Sequence, residues 1–410
     1  MIQTLNTAMA ARDVHSRQPA PPGPSWLEID LDRLESNAAT LLAALQTTGG
    51  PRLCAVVKKN AYGLGVGPIA HRLARVGCCM LAVYTPEEAE QLVTEGPACP
   101  LLLMMPLRHI DRAGRLHRAA MAGRLHLSVH SAEHFERIAQ IGRSFGMKLP
   151  VHLYLDTGMS RGGLSDADLR QIVGRLPGHR YVQLAGIYSH LATADLDSEY
   201  AHRQYERFSA AVDAAELPAG VTRHLANTCA TMRDPRYHLD LVRVGLGLLG
   251  YGPRMLVDPP AAAALPDVRP IMRWMSRIVD VHRYPAGSSV GYGQTHRLGR
   301  ASLLGVVPVG YGDGYPLGLS NKASVRIRPA EDAPWHEAPV LGRVNMDQIV
   351  VDLTDLETAM PGNLVGADVE VISNDPDAPN ALEKLAELAG SHCYEMLCRL
   401  SSHLPRRYRR

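Results

Sequence analysis

The stretch Leu53-Cys54-Ala55-Val56-Val57-Lys58-Lys59-Asn60-Ala61-Tyr62-Gly63-Leu64-Gly65 opens as a short apolar, β-branched strand, closes it on Lys58 and breaks into a glycine-punctuated turn. Working outward, runs of the same kind stand at 79–83, 101–105, 125–129, 151–156, 184–190, 222–227 and 241–245, which with 53–58 makes eight. A helical pattern follows each. Two helix starts are signalled in detail: Thr85-Pro86-Glu87-Glu88 offers an N-cap, a proline at the first helical position and an acidic first turn, and Ser165 with Asp168 makes a similar pair. Eight alternating units in about 220 residues predict an α/β fold, a (β/α)8 TIM-like barrel with its active site at the C-terminal ends of its strands.

Beyond Pro253 the pattern breaks into Pro259-Pro260-Ala261-Ala262-Ala263-Ala264-Leu265-Pro266, a crossover, and then into short Val-, Gly- and Pro-rich runs without a long helical period until about 380. The expected organisation is a disordered leader over 1–25, a barrel over 26–260 and a mainly β C-terminal domain over 265–410. The alternating run Trp26-Leu27-Glu28-Ile29-Asp30 precedes the first barrel helix, and the segment 26–34 fits an added strand of the β domain.

The chain has 410 residues, 46% hydrophobic and 20% charged, with a net charge of +2, so composition places it among soluble globular proteins. Every apolar run is interrupted by charge, which argues against a membrane span, and near-neutral charge argues against a nucleic-acid scaffold. The basic tail Arg406, Arg407, Arg409, Arg410 reads as a solvated terminus. No apolar signal core stands in the first 25 residues, so a cytoplasmic enzyme is expected. The seven cysteines are scattered, without metal-ligand spacing, and read as reduced thiols; no metal site is expected. Of 43 basic residues only Lys58, Lys59, Lys148, Lys322 and Lys384 are lysines, so a lysine in a special place needs its own reason. At a barrel mouth a lysine can form a Schiff base, which arginine cannot, although a solvated strand-end charge fits the position equally well.

Ala55-Val56-Val57-Lys58 with Asn60-Ala61-Tyr62-Gly63 and Gly65 resembles the pyridoxal-phosphate (PLP) lysine motif of the alanine racemase family. Further stretches match in order: Asp156-Thr157-Gly158-Met159-Ser160-Arg161, Gly186 to Asp195, Ala226-Asn227-Thr228, Val242 to Leu246, Gly291-Tyr292-Gly293, Gly310 to Pro316, Gly342 to Asp347 and Tyr394-Glu395. The likeness runs from Trp26 to Arg399.

The resemblance implies a PLP-dependent racemase, an isomerase that interconverts L- and D-alanine and supplies D-alanine for cell-wall synthesis, working as a homodimer with shared active sites. It implies Lys58 as the cofactor lysine and one base, and Tyr292 of the other subunit as the second. Tyr62, Asn227, Thr228, Gly245, Leu246 and Tyr394 would hold the cofactor, largely through its phosphate. Arg243 would face the pyridine nitrogen, with His190 linking it toward the tyrosine. Arg161, Met346 and Tyr311 would serve the amino-acid substrate.

The chain departs from the family at Tyr154, where many members carry a lysine that is carbamylated in use. A phenol cannot form a carbamate, so another group must steady Arg161. Leu64 replaces a frequent histidine and Lys59 a frequent alanine, changes expected to alter the mouth. Alternatives within reach are a broad-specificity racemase for serine, lysine or arginine, a fold-related PLP decarboxylase, and a noncatalytic PLP carrier. The second is disfavoured by the lack of a Gly-Gly-Gly phosphate loop, and the third by the additional domain carrying Tyr292.

Overall fold

The computed structural model describes residues 23–46, 50–257, 266–357 and 362–409. The expected leader therefore lies outside the described residues except at its end, as does the expected crossover over 259–266 except for Pro266. Ser25 already belongs to the folded body: its hydroxyl accepts from Trp274 Nε1 at 2.7 Å and donates to the Met275 carbonyl at 3.2 Å.

After β1 (Trp26–Asp30) and α1 (Leu31–Gln46) come eight parallel strands. They are β2 (Arg52–Val56), β3 (Met80–Val83), β4 (Leu101–Leu103), β5 (Leu125–Val129), β6 (Leu149–Tyr154), β7 (Val182–Tyr188), β8 (Thr222–His224) and β9 (Leu241–Val244). Each of the eight expected strands is present, shifted by up to three residues. β9 pairs with β2, and the ring closes between β8 and β9 through Arg243 N to Ala226 O at 2.9 Å and Asp240 N to Arg223 O at 3.0 Å. Between the strands run α2, the single turn Lys58–Tyr62, then α3 (Val66–Val76), α4 (Pro86–Glu95), α5 (Arg115–Met121), α6 (Ala132–Phe145), α7 (Asp166–Arg175), α8 (Ser198–Ala214) and α9 (Thr228–Arg233). The starts at Thr85 and Ser165 are both full capping boxes, with Glu88 and Asp168 closing back on the cap backbone.

The barrel interior is divided. Cys54, Met80, Ala82 and Leu102 of β2 to β4, with Leu241 at the start of β9, make an apolar cluster. Opposite it, hydrogen bonds join His126, His152, His224 and Arg243 of β5, β6, β8 and β9 in one row and pair Ser128 with Tyr188 beside it.

The second domain contains β10 (Met272–Arg277), β11 (Asp280–Tyr284), β12 (Ser289–Val290), β13 (His296–Arg297), β14 (Ser302–Val307), β15 (Ser324–Arg328), β16 (His336–Leu341), β17 (Ile349–Asp352) and β18 (Asp368–Ile372), then α10 (Leu382–Leu388), α11 (Cys393–Arg399) and β19 (Arg406–Arg409). Its main sheet runs β11-β14-β17-β16-β15-β18-β10-β1-β19. β1 thus joins this sheet, Trp26 opposite Met275 and Ile29 opposite Met272, as its alternation indicated.

Arg406, Arg407 and Arg409 of the basic tail stand on a sheet strand rather than in a free terminus, although Arg409 stays exposed. β19 pairs parallel to β1, the Arg407 guanidinium lies 4.2 Å from the Trp26 ring centre, and Arg409 bonds Glu28 at 2.7 Å. An edge strand with aromatic and acidic neighbours gives those charges partners that a terminal run does not advertise. All seven cysteines are free, four of them buried, in keeping with reduced thiols. No helix among the described residues is long and apolar enough to cross a membrane.

Candidate active site

Lys58 does not close β2. That strand ends at Val56, and Lys58 opens a left-handed turn in which Lys59, Asn60, Ala61 and Tyr62 all have φ between 51° and 56°. Left-handed backbone costs L-residues about 1–2 kcal/mol each, so the turn persists only because its surroundings hold it. Glu88 Oε1 accepts from the Lys59 amide at 2.8 Å, Asn60 Oδ1 accepts from the Val66 amide at 2.8 Å, and Gly63 N donates to Lys59 O at 2.7 Å. Lys58 is half-buried, and burial followed by the charge of Arg161 lowers its pKa, which raises the share of neutral amine. Leu64 is fully buried, so its replacement of a family histidine falls in the core and not at the mouth.

The expected phosphate residues come together at the end of β9. Thr228 Oγ1 accepts from the amides of Gly245 and Gly247 at 3.2 and 3.3 Å. A Cβ at Gly245 would overlap the Tyr62 hydroxyl, so glycine leaves the space this cradle needs. The Tyr62 and Tyr394 rings stand 5.9 Å apart, and burial raises both phenol pKa values, keeping them proton donors. Leu246 follows in the same turn. Asn227 sits beside them with its carboxamide oxygen committed to capping α9, accepting from the Ala230 amide at 2.9 Å.

Arg243 lies at the centre, only 4% exposed. Nη2 donates to Ser189 O at 2.9 Å and to His190 Nδ1 at 3.3 Å; Nη1 donates to His224 O and His224 Nδ1, each at 3.1 Å. The Tyr188 ring underlies the guanidinium at 5.0 Å.

Arg161 stands on the loop after β6, whose shape comes from Asp156: its Oδ1 accepts the amides of Gly158, Met159 and Ser160. Tyr200 and Gln204, one turn apart on α8, fasten this loop and the next through Gly158 O at 2.6 Å, His190 O at 3.1 Å and the Ala192 amide at 2.8 Å. Tyr154 is buried, stacked on Tyr188 at 4.8 Å and edge-on to His130 at 5.2 Å. In the β domain Tyr292, Tyr311 and Met346 are 71%, 47% and 55% exposed. Tyr311 and Met346 are tied by Tyr311 N to Asn345 O and Gly312 N to Met346 O, at 3.0 and 2.9 Å.

Sequence reasoning missed His126, His152 and His224. The available signal was polar residues at spacing two inside apolar strands: His126, Ser128 and His130 on and after β5, and His152 and Tyr154 on β6. Among the described residues no cluster could hold a metal ion.

Residues 29–253 match the model of the alanine racemase N-terminal domain and 271–408 that of the C-terminal domain. The alanine racemase of Symbiobacterium thermophilum is 34% identical over 94% of this chain and 97% of its own length, and that of Desulfovibrio desulfuricans 31% identical over 94% and 98%. Among solved structures, alanine racemase from D-cycloserine-producing Streptomyces lavendulae matches with a TM-score of 0.82 at 29% identity, covering 95% of this chain and 98% of that one. The Bartonella henselae enzyme, with covalently bound pyridoxal phosphate, matches with a TM-score of 0.79 at 28% identity, covering 95% and 100%. A barrel carrying Lys58 and Arg243 at one end, a β domain following it in the chain, and full-length matches to both halves lead to one assignment: the chain belongs to the alanine racemase family.

Proposed function

We propose that the chain is a PLP-dependent racemase interconverting L- and D-alanine, acting in the cytoplasm as a homodimer and supplying D-alanine for cell-wall synthesis. The observation that carries this reading is the placement of Lys58, the Tyr62–Thr228–Gly245 cradle and Arg243 at one end of the parallel barrel. These residues suit the cofactor: neutral phenols and backbone amides for a phosphate, a guanidinium for the ring nitrogen and a partly neutral lysine for the aldehyde carbon. Bound there, PLP supplies an electron-poor ring that stabilises negative charge at the amino-acid Cα.

The chain's own groups hold the substrate and move the proton. Arg161 orients the carboxylate, aided by the Met346 amide and Tyr311 from the other subunit. Lys58 Nζ serves one face of Cα, and Tyr292 Oη of the partner subunit serves the other. A single tethered lysine reaches one face only, so inversion needs a second base. The exposed rings of Tyr292 and Tyr311 and the exposed Met346 side chain are the kind of surface a partner subunit covers. Arg243 keeps its proton, so the ring nitrogen meets a donor that does not protonate it, which limits side reactions.

The test is to purify the protein with PLP and follow loss of optical rotation across L-amino acids, with alanine expected fastest and serine next. Faster loss with lysine would transfer the assignment to a broad-specificity racemase, and carbon dioxide release to a decarboxylase. Borohydride reduction and peptide mapping should place the pyridoxyl group on Lys58; a label on Lys59 or Lys322 would overturn the site.

A further inference from the structure

Arg243 is a buried cation with no carboxylate. Among the described residues it enters no ion pair, although an unpaired buried charge is costly. Its cage consists of backbone carbonyls, the Tyr188 ring face and two imidazole nitrogens, His190 Nδ1 and His224 Nδ1.

The second of these leads into the barrel. His224 Nε2 stands 2.8 Å from His152 Nδ1, and His152 Nε2 stands 3.0 Å from His126 Nδ1. A guanidinium has donors and no acceptor, so His224 Nδ1 must present a lone pair to it. The proton of neutral His224 is then on Nε2 and donates to His152 Nδ1. By the same step His152 carries its proton on Nε2 and donates to His126 Nδ1, leaving the His126 proton on Nε2. One arginine thus sets three tautomers. A further proton on any ring would, passed along the chain, put an N–H of His224 against the guanidinium N–H. Burial independently disfavours the charged form of all three rings.

The backbone makes room for this chain. β7 separates β6 from β8, and a register shift after Val151 sets Gly186 opposite His152. A Cβ on Gly186 would overlap the His152 ring. Only a bare position there lets imidazoles on β6 and β8 meet across the intervening strand.

We infer that His152 and His126 are positioning residues of the reaction centre, forming with His224 a one-way chain of neutral imidazoles that holds the Arg243 guanidinium in place of a carboxylate. The aligned rings turn their electron-rich nitrogens toward Arg243 and polarise one another. An acidic partner would cancel the charge of Arg243; this chain orients the group and leaves its charge whole. The catalytic consequence rests on the proposed role of Arg243 beside the cofactor ring, but the tautomers do not.

The test is long-range 1H–15N correlation on enzyme labelled with 15N-histidine, with and without PLP at pH 7, assigned with His152→Gln and His126→Gln. All three rings are expected neutral with Nε2 protonated; a protonated Nδ1 on any of them overturns the inference. His152→Phe and Gly186→Ala should abolish the single tautomer of His224 and lower kcat for alanine by about tenfold with KM little changed, whereas His152→Gln, which keeps an acceptor and a donor, should retain most activity. Unchanged His224 signals and kcat in His152→Phe would also overturn it. The expected tautomers in a protein inactive on alanine would instead refute the racemase reading and leave the chain of imidazoles standing.

Discussion

Arg406 donates from both Nε and Nη2 to the carbonyl oxygen of Gly63, at 3.0 and 2.9 Å, across 343 residues of sequence. Two residues on, the Tyr408 hydroxyl donates to Leu64 O at 3.0 Å, and a Cβ at Gly65 would overlap that hydroxyl. The far end of the chain therefore straps the segment that follows the left-handed turn of Lys58. Arg406 is anchored in turn by Ser401 O at 2.7 Å and Leu404 O at 2.6 Å.

Removing this strap should release backbone that is unfavourable by itself. Arg406→Ala is expected to lower unfolding free energy by about 2–3 kcal/mol, and Tyr408→Phe by about 1 kcal/mol. Urea unfolding midpoints would show both. Wild-type midpoints in the two variants would mean that the turn is held by other contacts.

Acid should destabilise the protein earlier than carboxylate titration alone would. Burial lowers His126 to about 4 and holds His152, His190 and His224 well below the usual histidine value. Below about pH 6.5 the unfolded chain takes up protons that these native rings refuse, so stability is full above that pH and declines toward pH 4. Each such histidine adds a slope of up to about 1.4 kcal/mol per pH unit. A series of urea midpoints from pH 7.5 to 5 that showed no decline would contradict the neutral assignment.

Much of this architecture was legible in the sequence because barrel strands are buried on both faces and stand out as apolar, β-branched runs between capped helices. Trp26 to Asp30 was legible from its alternation, although both faces of that strand are buried and Glu28 is covered with the rest. Lys58 emerged because lysine is rare in this chain and its neighbours match a family motif. The left-handed turn did not, since of Lys59, Asn60, Ala61 and Tyr62 only Asn60 favours that conformation. Arg406 and Tyr408 were read as tail because their partners lie at the other end of the sequence, and His126, His152 and His224 each look like an isolated buried polar group until the barrel curls them together.

Tyr154 is expected to make activity independent of carbon dioxide. Its ring is packed between Tyr188 and His130, and a phenol has no nitrogen to carbamylate. Activity should be unchanged when bicarbonate is added after carbon dioxide depletion, with a halide, a water cluster or a nearby carboxylate steadying Arg161. Clear activation by bicarbonate, or density for a modified lysine beside Arg161, would defeat this expectation.

Tyr292 should serve as the base for L-alanine, reaching across from the partner subunit, while Lys58 serves D-alanine. In its own chain the Tyr292 ring is 71% exposed, beside a Gly291 whose φ of 69° aims the turn outward. A phenol with an ordinary pKa near 10 needs positive surroundings to act near neutral pH. Across the dimer, Arg243 would supply the charge and the neutral His190 the contact, since His190 Nδ1 accepts from Arg243 and its Nε2–H is left to donate toward an incoming phenolate. Tyr292→Phe should therefore abolish most racemisation while leaving the cofactor spectrum intact, and Cα exchange with solvent deuterium should persist mainly from D-alanine. Arg243 and Lys58 are untouched in that variant, so the asymmetry cannot come from a lost cofactor. Exchange from both enantiomers at wild-type rates would rule out both the two-base assignment and the shared active site.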